Sequence, residues 1–134
     1  MKVKDDRWCF ACGTENPHGL HLHDFREEGE DYVCDFVPQR HHQGWTEITH
    51  GGIVSTLLDE MMTRAIWTRG TDVVTAEMTV RFKRPVPTGS RLQLRARITS
   101  ARSRLVTASA EVLMEDGTVA AEAEGKFMVV EQRG

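Results

Sequence analysis

HGGIVSTLLDEMM, residues 50–62, sets two of the poorest helix formers in front of an apolar-periodic run and places two acids inside it. Val54, Leu57, Leu58, Met61, Ala65 and Ile66 recur at helical spacing and define one broad apolar face, which predicts a helix over about Gly51 to Trp67. Such a helix is roughly 25 Å long. Each glycine costs about 1 kcal/mol of helix propensity relative to alanine. Two explanations are open. The first N–H groups of a helix lack internal acceptors and sit at the positive end of the macrodipole, so a residue without Cβ lets an anion or a polarised oxygen approach them. Alternatively, the glycines serve a turn or a close contact with a strand.

Asp59 lies eight residues after Gly51. It falls about 80° around the axis from that glycine, just beyond the edge of the apolar face. A carboxylate at such a boundary suits a nucleophile or general base in a cleft, and equally a solvated helix residue. Glu60 points about 100° further round, so helix geometry does not bring the two acids into one site.

On either side of this helix the pattern changes to alternation, the mark of half-buried strands. Downstream, Val74, Ala76, Met78, Val80 and Phe82 are apolar while Thr75, Glu77, Thr79, Arg81 and Lys83 are polar. Leu92, Leu94, Ala96 and Ile98 repeat the pattern, as do Val106 to Met114 and Val119 to Val129. Asp116-Gly117 between the last two runs is a hairpin signal. Upstream, Leu20 to Phe25 and Tyr32 to Val37 read as a weaker first pair. One helix against five or six strands predicts an α+β domain in which a curved antiparallel sheet wraps around a single central helix. An open-edged single layer favours pairing with a second copy.

The 134 residues show no repeat or linker and fit one domain. A net charge of −3 gives no basis for binding nucleic acid or anionic membranes. MKVKDDRW at the start lacks an apolar signal core, and the uncharged stretch Ile48 to Leu58 is too short to span a bilayer. Three cysteines do not make a disulfide framework, which points to the reducing cytoplasm. Cys9-x-x-Cys12, followed by His18, His21 and His23, carries zinc-type donors. The spacing fits no common finger and no second Cys-x-x-Cys follows, so a structural or weakly redox-active pair is expected and no metal. Met61, Met62 and Trp67 are expected in the core rather than in a pocket.

HGGIVSTLLDE, with its nine-residue step from His50 to Asp59, resembles the hot-dog-fold thioesterases of the PaaI-like group. CFACGTENPHGLHL (9–22), QGWTEITHGG (43–52) and the strand end at Arg84-Pro85 are similar too, so the resemblance runs from Cys9 to about Val130. It implies the hot-dog fold, a homodimer or dimer of dimers, and hydrolysis of a small acyl-CoA thioester without metal or cofactor. By position, Asp59 would be the catalytic carboxylate, activating water or attacking the carbonyl. The Gly51 N–H would be the oxyanion donor. His50 would shape the turn, and Thr75 would orient the water, although its alternation puts it on the polar side of its strand. In such enzymes the glycine and the carboxylate facing one thioester come from different subunits. Some relatives carry Asn or Gln six residues before the motif histidine. Here that place is Gly44, and Gln43 beside it would take the role.

Arg81, Lys83, Arg84, Arg102 and Arg104 gather at strand ends. They would suit the phosphates of CoA, and equally a charged, protected sheet edge. Two other classes compete with hydrolysis. An acyl-CoA-binding or sensing protein on this fold would be marked by loss of the carboxylate, which is present. A hydratase would pair its aspartate with a later histidine, and none follows Asp59.

Overall fold

Residues 1–133 are described in a computed structural model. Two short strands, β1 (Arg26–Glu28) and β2 (Asp31–Phe36), precede helix α1 (Gly51–Trp67). Four longer strands follow: β3 (Thr71–Phe82), β4 (Leu92–Ala101), β5 (Leu105–Leu113) and β6 (Val119–Gln132). They form one antiparallel sheet in the order β1-β2-β4-β5-β6-β3, and α1 lies across it. This is the α+β, helix-in-sheet architecture that the alternation pattern predicts. None of the helices is long and apolar enough to cross a membrane, among the described residues.

The helix runs between the predicted ends, and its apolar face is fully used. Val54, Leu57, Leu58, Met61, Met62 and Ile66 are each at most 2 % exposed. Opposite them the sheet presents small side chains, Ala108, Ala110, Ala121 and Ala123, which let a helix with large side chains approach closely. Gly125 marks the tightest point: a Cβ there would lie 2.6 Å from Cε2 of the buried Phe127 and 3.2 Å from Cε of Met62.

The sequence expectations need three corrections. The first strand is Arg26–Glu28 rather than Leu20 to Phe25. His21 and Asp24 adopt positive φ of 54° and 57°, which breaks extended backbone. Leu20 and Leu22 still bury their side chains, and their N–H groups donate to the carbonyls of Phe10 and Ala11. Their alternation therefore reports a pinned loop.

The second correction concerns β3. The register shifts between Thr75 and Glu77, opposite Phe127 and Lys126 on β6, leaving Ala76 as the extra residue of a bulge. A bulge reverses the alternation phase. Before it the odd residues Thr71 and Val73 face inward and are buried; after it the even residues Met78 and Val80 face inward and are half-buried. Thr75 thus lies on the helix side, not the outer polar side.

Third, Trp67 is exposed, stacked beneath the guanidinium groups of Arg64 and Arg133. Met61 and Met62 are in the core as expected.

Candidate active site

Helix α1 begins at an abrupt corner. His50, extended at ψ 135°, is its N-cap, and its Nδ1 accepts the N–H of Gly52 at 2.8 Å. The His50 backbone N–H donates to the carbonyl of His42, which fixes the corner to the preceding turn. Gly52 is held by this cap: a Cβ would lie 3.0 Å from His50 Nδ1. Gly51 is different. A Cβ there would touch nothing closer than the Phe82 ring, at 3.6 and 3.7 Å, which is ordinary contact. Packing therefore accounts for the second glycine and not for the first. The Gly51 N–H has no acceptor among the described residues and is exposed.

That free donor opens onto a cavity of about 850 Å³ lined by Trp45, Ile48, Val54 and Phe82, with Lys83 and Arg84 at its margin. The walls are largely apolar, and two are unusually bare: Trp45 is 83 % exposed and Phe82 56 %. Arg84 has no carboxylate partner among the described residues, whereas Lys83 Nζ lies 3.2 Å from Glu122.

Two turns further along, Asp59 is half-buried at the edge of the apolar face, where helix geometry puts it. Thr75 Oγ1 donates to Asp59 Oδ1 at 2.7 Å. The β3 bulge makes this contact by turning Thr75 toward the helix. One carboxylate oxygen is thereby fixed, leaving the other to accept a proton.

The remaining predicted residues are dispersed. Gln43 is occupied locally: its Oε1 accepts the N–H of Glu47, a residue at φ 62°, and closes the loop before the helix. Gly44 packs on His50, since a Cβ would lie 3.3 Å from the His50 Cα, which leaves little room for a longer side chain at that place. Arg81 and Lys83 both approach Glu122. Arg102 and Arg104 sit in the β4–β5 turn, level through Met128 with Val74 on β3. Along β3 that is roughly 30 Å from Arg84. Within one chain the five basic residues do not form one patch.

Glu60 turns away from Asp59 and is buried, 8 % exposed, against the N-terminal Cys9 and Cys12. Burial pushes its carboxyl above the usual carboxylate range. Burial, reinforced by Glu60, likewise pushes the Cys12 thiol up. Sequence spacing could not pair these residues, because 51 positions separate Cys9 from Glu60.

A six-stranded antiparallel sheet around one central helix defines the class of hot-dog proteins. The sequence profile of the thioesterase superfamily matches residues 47–121, and the chain belongs to that superfamily. Among curated relatives, an acyl-coenzyme A thioesterase THEM4 from Bos taurus is 29 % identical over 121 residues, 89 % of this chain and 50 % of that protein. Its Xenopus laevis counterpart is 30 % identical over 88 residues, 65 % of this chain and 39 % of that protein. The chain thus spans at most about half the length of these relatives. Among solved structures, thioesterase superfamily protein RHA08564 matches with a TM-score of 0.84 at 25 % identity, covering 91 % of this chain and 60 % of that one. Escherichia coli PaaI, from the phenylacetic acid degradation operon, matches with a TM-score of 0.78 at 19 % identity, covering 85 % and 83 %.

Proposed function

We propose that this protein hydrolyses the thioester of a small acyl-CoA at a site shared between two copies of the chain. The observation that carries the reading is the exposed, unpaired N–H of Gly51 beside the apolar cavity, at a position where the fold does not need glycine. A donor left open at a helix start suits the oxygen that becomes negative when a thioester carbonyl is attacked. The THEM4 relatives, named as acyl-coenzyme A thioesterases, support the substrate class.

Asp59, aligned by Thr75, accepts a proton from water as the water oxygen bonds to the carbonyl carbon. The carbonyl electrons move to oxygen, which the Gly51 N–H stabilises. Collapse of the tetrahedral intermediate breaks the C–S bond, and the sulfur leaves with its electron pair as the CoA thiolate. Direct attack by the carboxylate gives an anhydride that water then opens, and the same two residues serve that route.

Distance supports a shared site. Eight residues of helix separate the Gly51 N–H from Asp59 by about 12 Å, too far for one thioester to meet both. Strand β3 supplies the means of pairing. It is the last strand of the sheet, 12 residues long, with one backbone edge unpaired. Ala76 and Phe82 on it are exposed, although the sequence alternates as if that face were covered. A second copy on this edge would cover it and bring the partner's helix toward the first one's cavity. Glycine and carboxylate from different subunits would then face one thioester. Lys83 and Arg84, at the cavity margin, would meet the phosphates of CoA, Lys83 by giving up its ion pair with Glu122.

The test is free-thiol release from a panel of short-chain, medium-chain and aryl-acyl-CoAs. Turnover of at least one supports hydrolysis. Tight binding of acyl-CoA with no thiol release from any of them would give the protein to the binding or sensing class instead.

A further inference from the structure

The N-terminal Cys9-Phe10-Ala11-Cys12-Gly13 turn, which takes no part in the proposed hydrolysis, packs against Glu60, about 100° around the α1 axis from the aligned aspartate. Its geometry is tight. Gly13 N–H donates to the Cys9 carbonyl at 2.8 Å, and a Cβ on Gly13 would lie 2.4 Å from the Cys9 nitrogen, so only glycine closes this loop. The loop presents both sulfurs to the helix. Cys9 Sγ, Cys12 Sγ and a Glu60 carboxylate oxygen all lie within 4.8 Å of one another, with Cys9 Sγ 3.9 Å from Glu60 Oε1.

Glu60 is the unusual member. It is more than nine-tenths buried, and its Oε2 has no hydrogen-bond partner. An i+4 arginine stands ready to pair with it on the same helix, yet Arg64 makes no salt bridge to it. The Arg64 guanidinium instead lies 4.4 Å over the Phe25 ring and sends Nη1 to Cys12 Sγ at 3.9 Å. A buried carboxylate oxygen left without a protein partner costs about 1–3 kcal/mol, and this one is held beside two thiols.

We propose that Cys9, Cys12 and Glu60 form a binding site for a thiophilic divalent cation, zinc by preference. Two thiolates and one carboxylate match zinc's borderline character, whereas magnesium and calcium take oxygen donors only. The dimensions agree. Tetrahedral zinc with bonds of about 2.3 Å to sulfur and 2.0 Å to oxygen separates a sulfur from an oxygen by about 3.5 Å and two sulfurs by about 3.8 Å. The present separations, all within 4.8 Å, exceed those by at most about 1.3 Å, within reach of side-chain adjustment. The charge closes as well: three anionic ligands and a divalent ion leave one negative charge, which the Arg64 guanidinium faces. Three protein ligands leave the fourth position to water. None of His18, His21 and His23 belongs to the group; all three are exposed, and His21 and His23 spend a ring nitrogen on backbone carbonyls of Asn16 and His21. The ion would tie the N-terminal segment to α1 one residue beyond Asp59.

The experiment is titration of the reduced, chelator-treated protein with cobalt(II). Thiolate-to-cobalt charge transfer in the near ultraviolet and tetrahedral d–d bands in the visible are read, followed by displacement with zinc and elemental analysis. One equivalent with both sets of bands is expected. The charge-transfer band should fall away in Cys9→Ser and Cys12→Ser. Should either serine variant fail to fold, Glu60→Gln, close to isosteric, decides: its affinity should drop at least about tenfold with an unchanged circular dichroism spectrum. His21→Ala should bind as the wild type does. Absence of stoichiometric cobalt or zinc uptake by the reduced wild type would overturn the proposal. So would Glu60→Gln binding at full affinity, or a protein isolated as a Cys9–Cys12 disulfide that takes up no metal once reduced. Thioester hydrolysis enters none of these readings, so the metal site stands or falls separately from it.

Discussion

Gly51→Ala separates the two explanations for the first helix glycine more sharply than any other change. The added methyl meets only the Phe82 ring, at 3.6 and 3.7 Å, so nothing must move to admit it. Alanine is the better helix former by up to about 1 kcal/mol, less in a first turn, so stability should hold or rise by a few tenths to 1 kcal/mol. That corresponds to a Tm change between zero and roughly +4 °C for a domain of this size. Activity should move the other way. Phe82 lines the cavity into which the Gly51 N–H opens, so a methyl directed at that ring stands beside the path of an approaching carbonyl. Loss of an oxyanion donor altogether costs about 10²–10³ in kcat. Alanine keeps the N–H and holds the oxygen away from it, which predicts a fall of about 10- to 100-fold in kcat/KM. Thermal unfolding and thiol release measured on the same preparation make the comparison. A stable variant with wild-type kcat/KM would refute the argument that Gly51 is kept for close approach. A variant destabilised by several kcal/mol would show that the fold needs this glycine after all.

Other substitutions test neighbouring links. Thr75→Val removes the 2.7 Å hydrogen bond to Asp59 at nearly constant volume and should lower kcat about tenfold, a discounted figure for a charge-assisted bond at a partly exposed site; Thr75→Ser should keep most of the rate. Equal rates for the valine and serine variants would remove the hydroxyl from the mechanism. Gly125→Ala drives a methyl to 2.6 Å from Phe127, which is fully buried, and should cost about 1–3 kcal/mol in urea unfolding; an unchanged midpoint would contradict the close fit described beneath α1. Asp31 tests the electrostatics of the β2–β4 pair. Burial works to raise its carboxyl, but hydrogen bonds from Arg95 and Arg97, both at 2.8 Å, outweigh it and hold the group below its ordinary value. A depressed carboxylate stabilises the fold above the unfolded value of about 3.9 and loses that contribution as pH falls through the lower folded value. Asp31→Asn should therefore cost about 1 kcal/mol near neutrality and progressively less below pH 4, so a cost independent of pH would exclude this origin.

The helix, its boundaries and the four long strands were legible because each rests on a periodicity set by burial against one core. Asp59 and Gly51 were legible for a related reason: their angular relation follows from helix geometry alone. What was not legible depended on breaks in periodicity or on contacts across the chain. The Ala76 bulge changes the facing of Thr75 without altering the residue pattern, and two positive-φ residues turn an alternating Leu20–Phe25 run into a loop. A threonine after an otherwise regular strand start, followed by a second in-phase apolar series, is the available sequence signal for such a bulge, and it is weak. Helix geometry turned Glu60 away from Asp59 but gave it no partner, since nothing local announces that a loop about fifty residues upstream will bury it. The five basic residues read as one group because sequence shows that they end strands but not which end of the sheet each occupies.

The measurement that goes most directly to the claim that a carboxylate on α1 drives thioester hydrolysis is single-turnover thiol release by Asp59→Asn beside the wild type, at equal concentrations of folded, associated protein. Asparagine preserves the side-chain shape and can still accept the Thr75 hydrogen bond, but it can neither take a proton from water nor attack a carbonyl. The expected result is a fall of at least about two orders of magnitude with acyl-CoA binding retained. Hydrolysis at the wild-type rate in the asparagine variant would contradict the assignment and leave the site without its base.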